Sequence, residues 1–212
     1  MATVNLQVAA TNDDATDKYI YPNWVWENIY YLYARKSDGT RRYTGQRWSA
    51  TLPQGCVIDS ATMQIYVYST STDDADVDIC GEDVDSAPAY NSGLHLTSRT
   101  KTSASVTWTQ TGLGIGWKTS PELKTIIQEL VDRPGWSSGN YIGLMFFGRS
   151  GYSLRYYSFD QAGNEHGPKL DITYHTSSVG ADNIPPAPQI MMKRSRWHDV
   201  MKGYRKLLIP CI

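Results

Sequence analysis

Alternation of apolar and polar positions with a period of two runs through several stretches of the chain. Val4, Leu6 and Val8 fall on one side of an extended segment, with Asn5 and Gln7 on the other. After a turn at Leu52-Pro53-Gln54-Gly55, residues 58–68 put Met63, Ile65 and Val67 on one face and Thr62, Gln64, Tyr66 and Tyr68 on the opposite one. Val77 and Ile79 alternate with Asp76, Asp78 and Cys80, and Leu170, Ile172 and Tyr174 with Asp171 and Thr173. The run Ile142-Gly143-Leu144-Met145-Phe146-Phe147 is apolar on both faces, as in a central strand covered on both sides. Leu154–Phe159 reads as a further strand, and Tyr30–Ala34 and Arg42–Trp48 as weaker ones.

One segment carries the helical period instead. Leu123, Ile126, Ile127, Leu130 and Val131 repeat at i, i+3, i+4, i+7 and i+8, which predicts a helix at about 120–133. Ser120 is placed to cap it, Pro121 suits the first position, Glu122 suits the first turn, and Pro134-Gly135 ends it. One helix cannot cover a sheet of about eight or more strands, so the strands must pack sheet on sheet. The expected fold is all-β: a jelly-roll-like antiparallel β-sandwich with one short helix plugging an open edge or end, followed by an extended C-terminal tail.

Charge divides the chain. Residues 191–212 carry a net +5, so the first 190 carry −6 of the overall −1. Between body and tail runs Thr176-Ser177-Ser178-Val179-Gly180-Ala181-Asp182-Asn183-Ile184-Pro185-Pro186-Ala187-Pro188, whose prolines favour an extended spacer. The expected organisation is a sandwich at 1–175, a Pro-rich linker at 176–190 and a basic amphipathic anchoring tail at 191–212. Fully extended, the segment from 176 onward reaches on the order of 120 Å.

Within the tail, Trp197, Val200, Met201, Tyr204, Leu207 and Leu208 share one helical face, with cations including Arg196 and Arg205 opposite and Gly203 weakening the helix. Such a segment fits an anionic membrane surface, nucleic-acid phosphates or a groove on a protein partner. A neighbouring subunit is the expected partner, with those eight residues as its contacts.

No run approaches the ~18 apolar residues of a membrane span. Met1-Ala2-Thr3-Val4-Asn5 lacks the regions of a signal peptide, which leads us to expect assembly in a cytosol. Cys56, Cys80 and Cys211 form neither a disulfide framework nor a zinc motif. His95, His166, His175 and His198 make no spaced ligand set, Gly-x-Ser-x-Gly is missing, and Gly112-Leu113-Gly114-Ile115-Gly116 lacks the Lys-Ser/Thr of a phosphate loop. Asn12-Asp13-Asp14 and Asp73-Asp74-Asp76-Asp78 have oxygen ligands suited to calcium but no EF-hand spacing, and turn and solvated-strand roles account for the second cluster. The expectation is therefore no catalysis, no cofactor and no metal. A glycosidase would need two carboxylates across a cleft, a pairing only a fold can assemble.

Tyr and Trp supply all but three of the aromatic residues. Their densest patch, Tyr19-Ile20-Tyr21-Pro22-Asn23-Trp24-Val25-Trp26 followed by Tyr30, Tyr31 and Tyr33, suits strand packing, a protein interface or stacking on sugars. Trp24, Trp26 and Trp117 are the candidate glycan platforms.

Several segments carry a family likeness: Leu52-Pro53-Gln54-Gly55-Cys56-Val57-Ile58-Asp59-Ser60-Ala61, Gly81-Glu82, Ser98-Arg99-Thr100-Lys101-Thr102, Val106-Thr107-Trp108, the stretch from Ile127 through Asp132-Arg133-Pro134-Gly135-Trp136 to Asn140, and Pro168-Lys169-Leu170. Over about 45–175 the chain resembles the DNRLRE-type, carbohydrate-binding-module-like β-sandwich of bacterial surface proteins and phage structural proteins. The resemblance implies a jelly-roll-like sandwich and no catalysis, names no ligand, and leaves the tail outside. Together these readings predict a structural protein of a tailed-phage virion: a decoration, spike or tail-associated subunit. It would be a homo-oligomer bound through its tail to capsid, portal or tail subunits, without nucleic acid. A glycan-binding module, with a host glycan as ligand, is the alternative, and a small glycoside hydrolase a more distant one.

Overall fold

A computed structural model describes residues 1–20, 23–27, 30–37, 40–68, 74–90, 95–150, 152, 154–161 and 164–176. Apart from Thr176, the linker at 176–190 lies outside the described residues, as does the whole tail with Arg196, Trp197, Val200, Met201, Tyr204, Arg205, Leu207 and Leu208. Among the described residues there are twelve strands and one α-helix. The strands are β1 (Ala2–Gln7), β2 (Asp14–Ile20), β3 (Asn23–Glu27), β4 (Tyr31–Ser37), β5 (Thr40–Ser49), β6 (Val57–Val67), β7 (Ala75–Glu82), β8 (Lys101–Gln110), β9 (Gly116–Thr119), β10 (Tyr141–Gly148), β11 (Leu154–Tyr157) and β12 (Lys169–His175). The helix is α1 (Lys124–Val131).

All strand pairs are antiparallel, and they form the two sheets of a sandwich. Sheet A contains β1, β12, β6, β9, β11 and the first half of β4. Sheet B contains β3, β2, β5, β10, β7 and β8. Strand β4 turns the corner between them. Tyr31–Ala34 pair with β11 in sheet A, whereas Arg35–Ser37 pair with β5 in sheet B.

The inward faces follow the alternation in the sequence. Ile58, Met63, Ile65 and Val67 of β6 meet Val77, Ile79, Leu144 and Phe146 of sheet B in one buried core. Burial of apolar area at roughly 25 cal/mol per Å² is what drives this packing. Two buried indoles are paired: Trp48 donates to the Pro168 carbonyl at 3.1 Å, and Trp136 to the Leu52 carbonyl at 3.0 Å. The buried Tyr156 hydroxyl is held by Thr44 and Gln46.

The helix closes an edge, as its pattern predicts, but it is shorter than expected and its capping differs. It begins at Lys124, and no side chain bonds from its N-cap residue, Leu123. Ser120, expected as the cap, instead accepts the Met63 N–H of β6 at 3.0 Å. Glu122 accepts the Ala61 N–H at 2.6 Å, and Gln128 accepts the Ile58 N–H at 2.8 Å while donating to the Cys56 carbonyl. Glu129 does the same for β8, taking Ser103 N–H at 2.7 Å and Ala104 N–H at 2.8 Å. Ile126, Ile127, Leu130 and Val131 bury the opposite side of the helix in the core. The helix therefore substitutes side-chain acceptors for missing strand neighbours at two sheet edges, which is how an exposed ladder is blunted.

Candidate functional site

The two outward faces of the sandwich are built differently. Sheet B is partly roofed. Residues 83–90 and 95–99 cross it, and Tyr90 sits at the centre of that cover, fully buried. Its ring fits where sheet B has no side chains. A Cβ on Gly45 would lie 2.8 Å from the Tyr90 ring, and one on Gly143 only 2.5 Å from its hydroxyl. Charged groups fasten the cover. Arg99 pairs with Glu82 at 2.9 Å and lies over the Tyr90 ring, and Tyr90 donates to Glu82 at 3.3 Å. Asp17 accepts the Leu96 N–H at 2.8 Å and bonds His95 Nδ1 at 2.9 Å. Burial raises the Glu82 and Asp17 carboxyls despite these partners.

Trp24 and Trp26 belong to this cover. They share one face of β3, as the extended spacing predicts. Trp24 stacks on Tyr43 with centroids 5.6 Å apart, and Trp26 stacks on His95 at 5.7 Å. Both pack against the small second core formed by Ala15, Tyr43, Cys80, Tyr90, Leu96 and Met145. That core is what covers the outer side of β10. Beside it a shallow groove of about 660 Å³ remains open, lined by Lys36, Lys101, Arg149, Tyr43, Phe147 and Cys80 among others. Burial pushes the Cys80 thiol up to about 12, so it stays protonated and poorly nucleophilic at neutral pH.

Among the described residues, no such cover crosses the aromatic half of sheet A. Leu32 of β4, Ile65 and Val67 of β6 and Tyr156 of β11 point inward. Their neighbours Tyr31, Tyr33, Tyr66, Tyr68, Arg155 and Tyr157 therefore point outward. Register brings these residues side by side: Tyr31 faces Tyr157 across β4 and β11, and Trp117 of β9 faces Tyr66. The rings form one cluster, with Tyr157 in contact with Tyr31, Tyr66, Tyr68 and His166. Trp117 meets Tyr66 edge-on at 5.5 Å, Tyr66 stacks on Tyr157 at 5.7 Å, Tyr157 on Tyr68 at 5.3 Å, and Tyr68 on Tyr31 at 4.2 Å. His166 packs on Tyr66 at 4.0 Å. The Tyr33 and Tyr68 hydroxyls bond at 2.8 Å. Two cations lie over rings of the cluster, Lys169 at 4.1 Å over Trp117 and Arg155 at 5.9 Å over Tyr68. Beyond Tyr66 the face turns polar, with Gln64 donating to Asp171.

Of the three candidate platforms, the structure thus keeps Trp24 and Trp26 together on sheet B and places Trp117 on sheet A among tyrosines. The partners of Trp117 were not identified from the sequence as a set. Tyr66 and Tyr68 were legible as outward residues of one strand, but Tyr31 and Tyr157 reach them only through strand pairing, and His166 from the turn before β12.

Asp73 lies outside the described residues; other members of the acidic clusters have structural partners. Asp13 bonds Arg47 at 2.7 Å, Asp76 and Asp78 both face Arg149, and Asp74 accepts the Gly112 N–H. Asp14 is buried. One carboxyl oxygen accepts the Phe159 N–H at 2.8 Å and the other has no partner. Burial raises this carboxyl well above its ordinary range, and Asp160 and Asp13 add to the effect. Among the described residues, no three His, Cys, Asp or Glu side chains stand close enough to share a metal ion. Also among them, no helix is long and apolar enough to cross a membrane. Comparison with protein-family models and with curated proteins gives no match for this chain.

Proposed function

We propose that this chain is a non-enzymatic structural subunit of a tailed-phage virion, a sandwich held out from the particle by its basic C-terminal arm. The observation that carries this reading is the way the body ends. Strand β12 has β1 on one side and β6 on the other, so the last strand of the sandwich already has both neighbours. The linker and the +5 arm follow an acidic body whose core packs among residues 8–172. An arm of that charge and amphipathic spacing suits an acidic, grooved surface on another subunit. Arg196 and Arg205 would pair with carboxylates there, and Trp197, Leu207 and Leu208 would fill the groove. The full chain and a W197A/L207A double variant should fold alike, while only the first joins particles in an assembly assay. Equal incorporation of both would sink the proposal.

The second reading, a glycan-binding module, draws on the cluster of rings on sheet A. Trp117 is 36% exposed and Tyr66, Tyr68, Tyr157 and His166 are half-buried, mutually packed but open to solvent along one side. It is compatible with the first, since a displayed subunit is well placed to meet a cell surface.

A further inference from the structure

We infer that β1 is a pairing edge for a second copy of the chain: two β1 strands meet antiparallel about a two-fold axis at Asn5 and join two A sheets into one. The contact is independent of the arm and of the aromatic cluster.

Three observations carry it. The first is which backbone groups are left over. Strand β1 ends sheet A, with β12 on one side and, among the described residues, no strand on the other. The Val8 N–H donates to the Pro168 carbonyl at 3.1 Å, and the register continues from there as Leu6 opposite Leu170, Val4 opposite Ile172 and Ala2 opposite Tyr174. Successive residues of an antiparallel strand bond to opposite sides. Ala2, Val4 and Leu6 therefore bond to β12, while Thr3, Asn5 and Gln7 turn their N–H and C=O groups outward. Such a ladder is a template for another strand.

The second is that this edge is unguarded. Strand β8 begins at Lys101 and has the Ser103 and Ala104 N–H groups taken by Glu129. Strand β9 is four residues long and includes Lys118, and β3 ends in Glu27. Charge, shortness, proline and bulges are what keep an edge single. Strand β1 has six residues, none of them charged and none of them Pro, and its register with β12 runs without a shift. The first charged side chain of the sequence is Asp13.

The third is unfinished burial. Val4 and Leu6 pack against the core yet stay half-buried, whereas their neighbours Leu170 and Ile172 on β12 are buried. A further strand beside β1 would cover them.

These observations select the occupant. Outward-bonding residues must meet outward-bonding residues. A second β1 centred on Asn5 does this, pairing Asn5 with Asn5 and Thr3 with Gln7, so the outward N–H and C=O groups of all three find partners. The same register sets Val4 beside Leu6 on the core side, once on each side of the axis, and opposes no like charges. A two-fold contact needs a self-complementary patch, and this strand is one. The first 190 residues carry −6, so two bodies repel at most approaches and least where the strand carries no charge.

The test is sedimentation of the full chain over a concentration series, with hydrogen exchange read at β1. The chain should dimerise, and exchange at Thr3, Asn5 and Gln7 should slow as the dimer forms. Asn5→Lys sets like charges together at the axis and should weaken dimerisation about tenfold or more. Asn5→Pro removes an N–H that β12 does not use and should do the same. Asn5→Thr should stay within about twofold of the unaltered chain. At concentrations where all are monomers, the variants should melt together; if Asn5→Pro melts lower, Asn5→Lys decides. The W197A/L207A variant should still dimerise. A chain that is monomeric at every concentration overturns the proposal and leaves the edge to a strand of another protein. A dimer that survives Asn5→Lys, or that W197A/L207A abolishes, overturns it as well, and so does equal exchange at the three positions in monomer and dimer.

Discussion

The two outward faces of this sandwich use similar residues to opposite ends. On sheet B, Tyr90, Trp24 and Trp26 are packed under or into a cover that Arg99–Glu82 and Asp17–His95 fasten to the strands. On sheet A, Tyr66, Tyr68 and Tyr157 pack on one another, under no crossing segment among the described residues. A ring buried with charged fasteners is committed to stability. A ring that shares a wet face with cations keeps a surface for something else. Glycines make the cover possible: Gly45 and Gly143 leave out the side chains that would keep Tyr90 off sheet B.

This contrast can be broken by substitution. The largest effect is expected from Tyr90→Ala, which empties a fully buried slot and leaves Glu82 without the phenol. It should cost about 3–5 kcal/mol in chemical denaturation. If the cost is below about 1 kcal/mol, the cover is not part of the fold's cooperative unit. Glu122→Ala comes next. It strips the acceptor from Ala61 N–H and Ser60 on the edge of β6, and should cost about 1–3 kcal/mol. Faster hydrogen exchange at Ala61 would report the same opening directly. Burial works to raise the Glu122 carboxyl, yet the hydrogen bonds from Ala61, Ser60 and Lys124 hold it below its ordinary value. Its contribution is therefore present above the unfolded pKa and fades as pH falls through the folded one.

Asp14 has the opposite sign. Its folded pKa is raised, so its contribution is fully present below the unfolded value and is lost as pH rises through the folded value. Asp14 also stands opposite Gln46 in the β2–β5 ladder, and Asp14 Oδ1 and Gln46 Oε1 are both buried without a partner. Asp14→Asn supplies a neutral donor there. It should raise stability at neutral pH by about 1 kcal/mol and flatten the pH profile. A thermal-melting series that loses stability at pH 7 would contradict this. The smallest effect is expected on the open face: Tyr157→Ala should cost under about 1.5 kcal/mol, the value of cross-strand ring pairs. A cost equal to that of Tyr90→Ala would erase the distinction between the two faces.

Much of the scaffold was legible in advance. The strand faces at 58–68 and 170–174, the doubly covered strand at 142–147 and the buried side of the helix all follow local periods, and the chain obeys them. Strands β2, β8 and β9 were not predicted as strands, and β3 only as the strand-packing reading of the aromatic patch. In β2 the buried residues are Asp14, Ala15, Thr16 and Asp17, a polar run that no hydrophobic pattern reveals. The helix start moved because Ser120 had a better use. A strand edge offering an unpaired N–H competes with a helix terminus for the same hydroxyl, and sequence spacing does not record that competition.

The sequence by itself determined which residues of each strand turn inward and which outward, because alternation is a property of neighbouring positions along one strand. It also determined the charge break between an acidic body and a basic arm. Only the tertiary structure decided that Tyr31, Tyr66, Trp117, Tyr157 and His166 meet in one cluster, and that Trp24 and Trp26 do not join them. Strand pairing joins residues far apart in the chain, and its register depends on the packing of both sheets at once. The burial of Asp14 and Asp17 was decided at the same level, since the desolvation of a carboxyl is set by everything that surrounds it and not by the residues on either side.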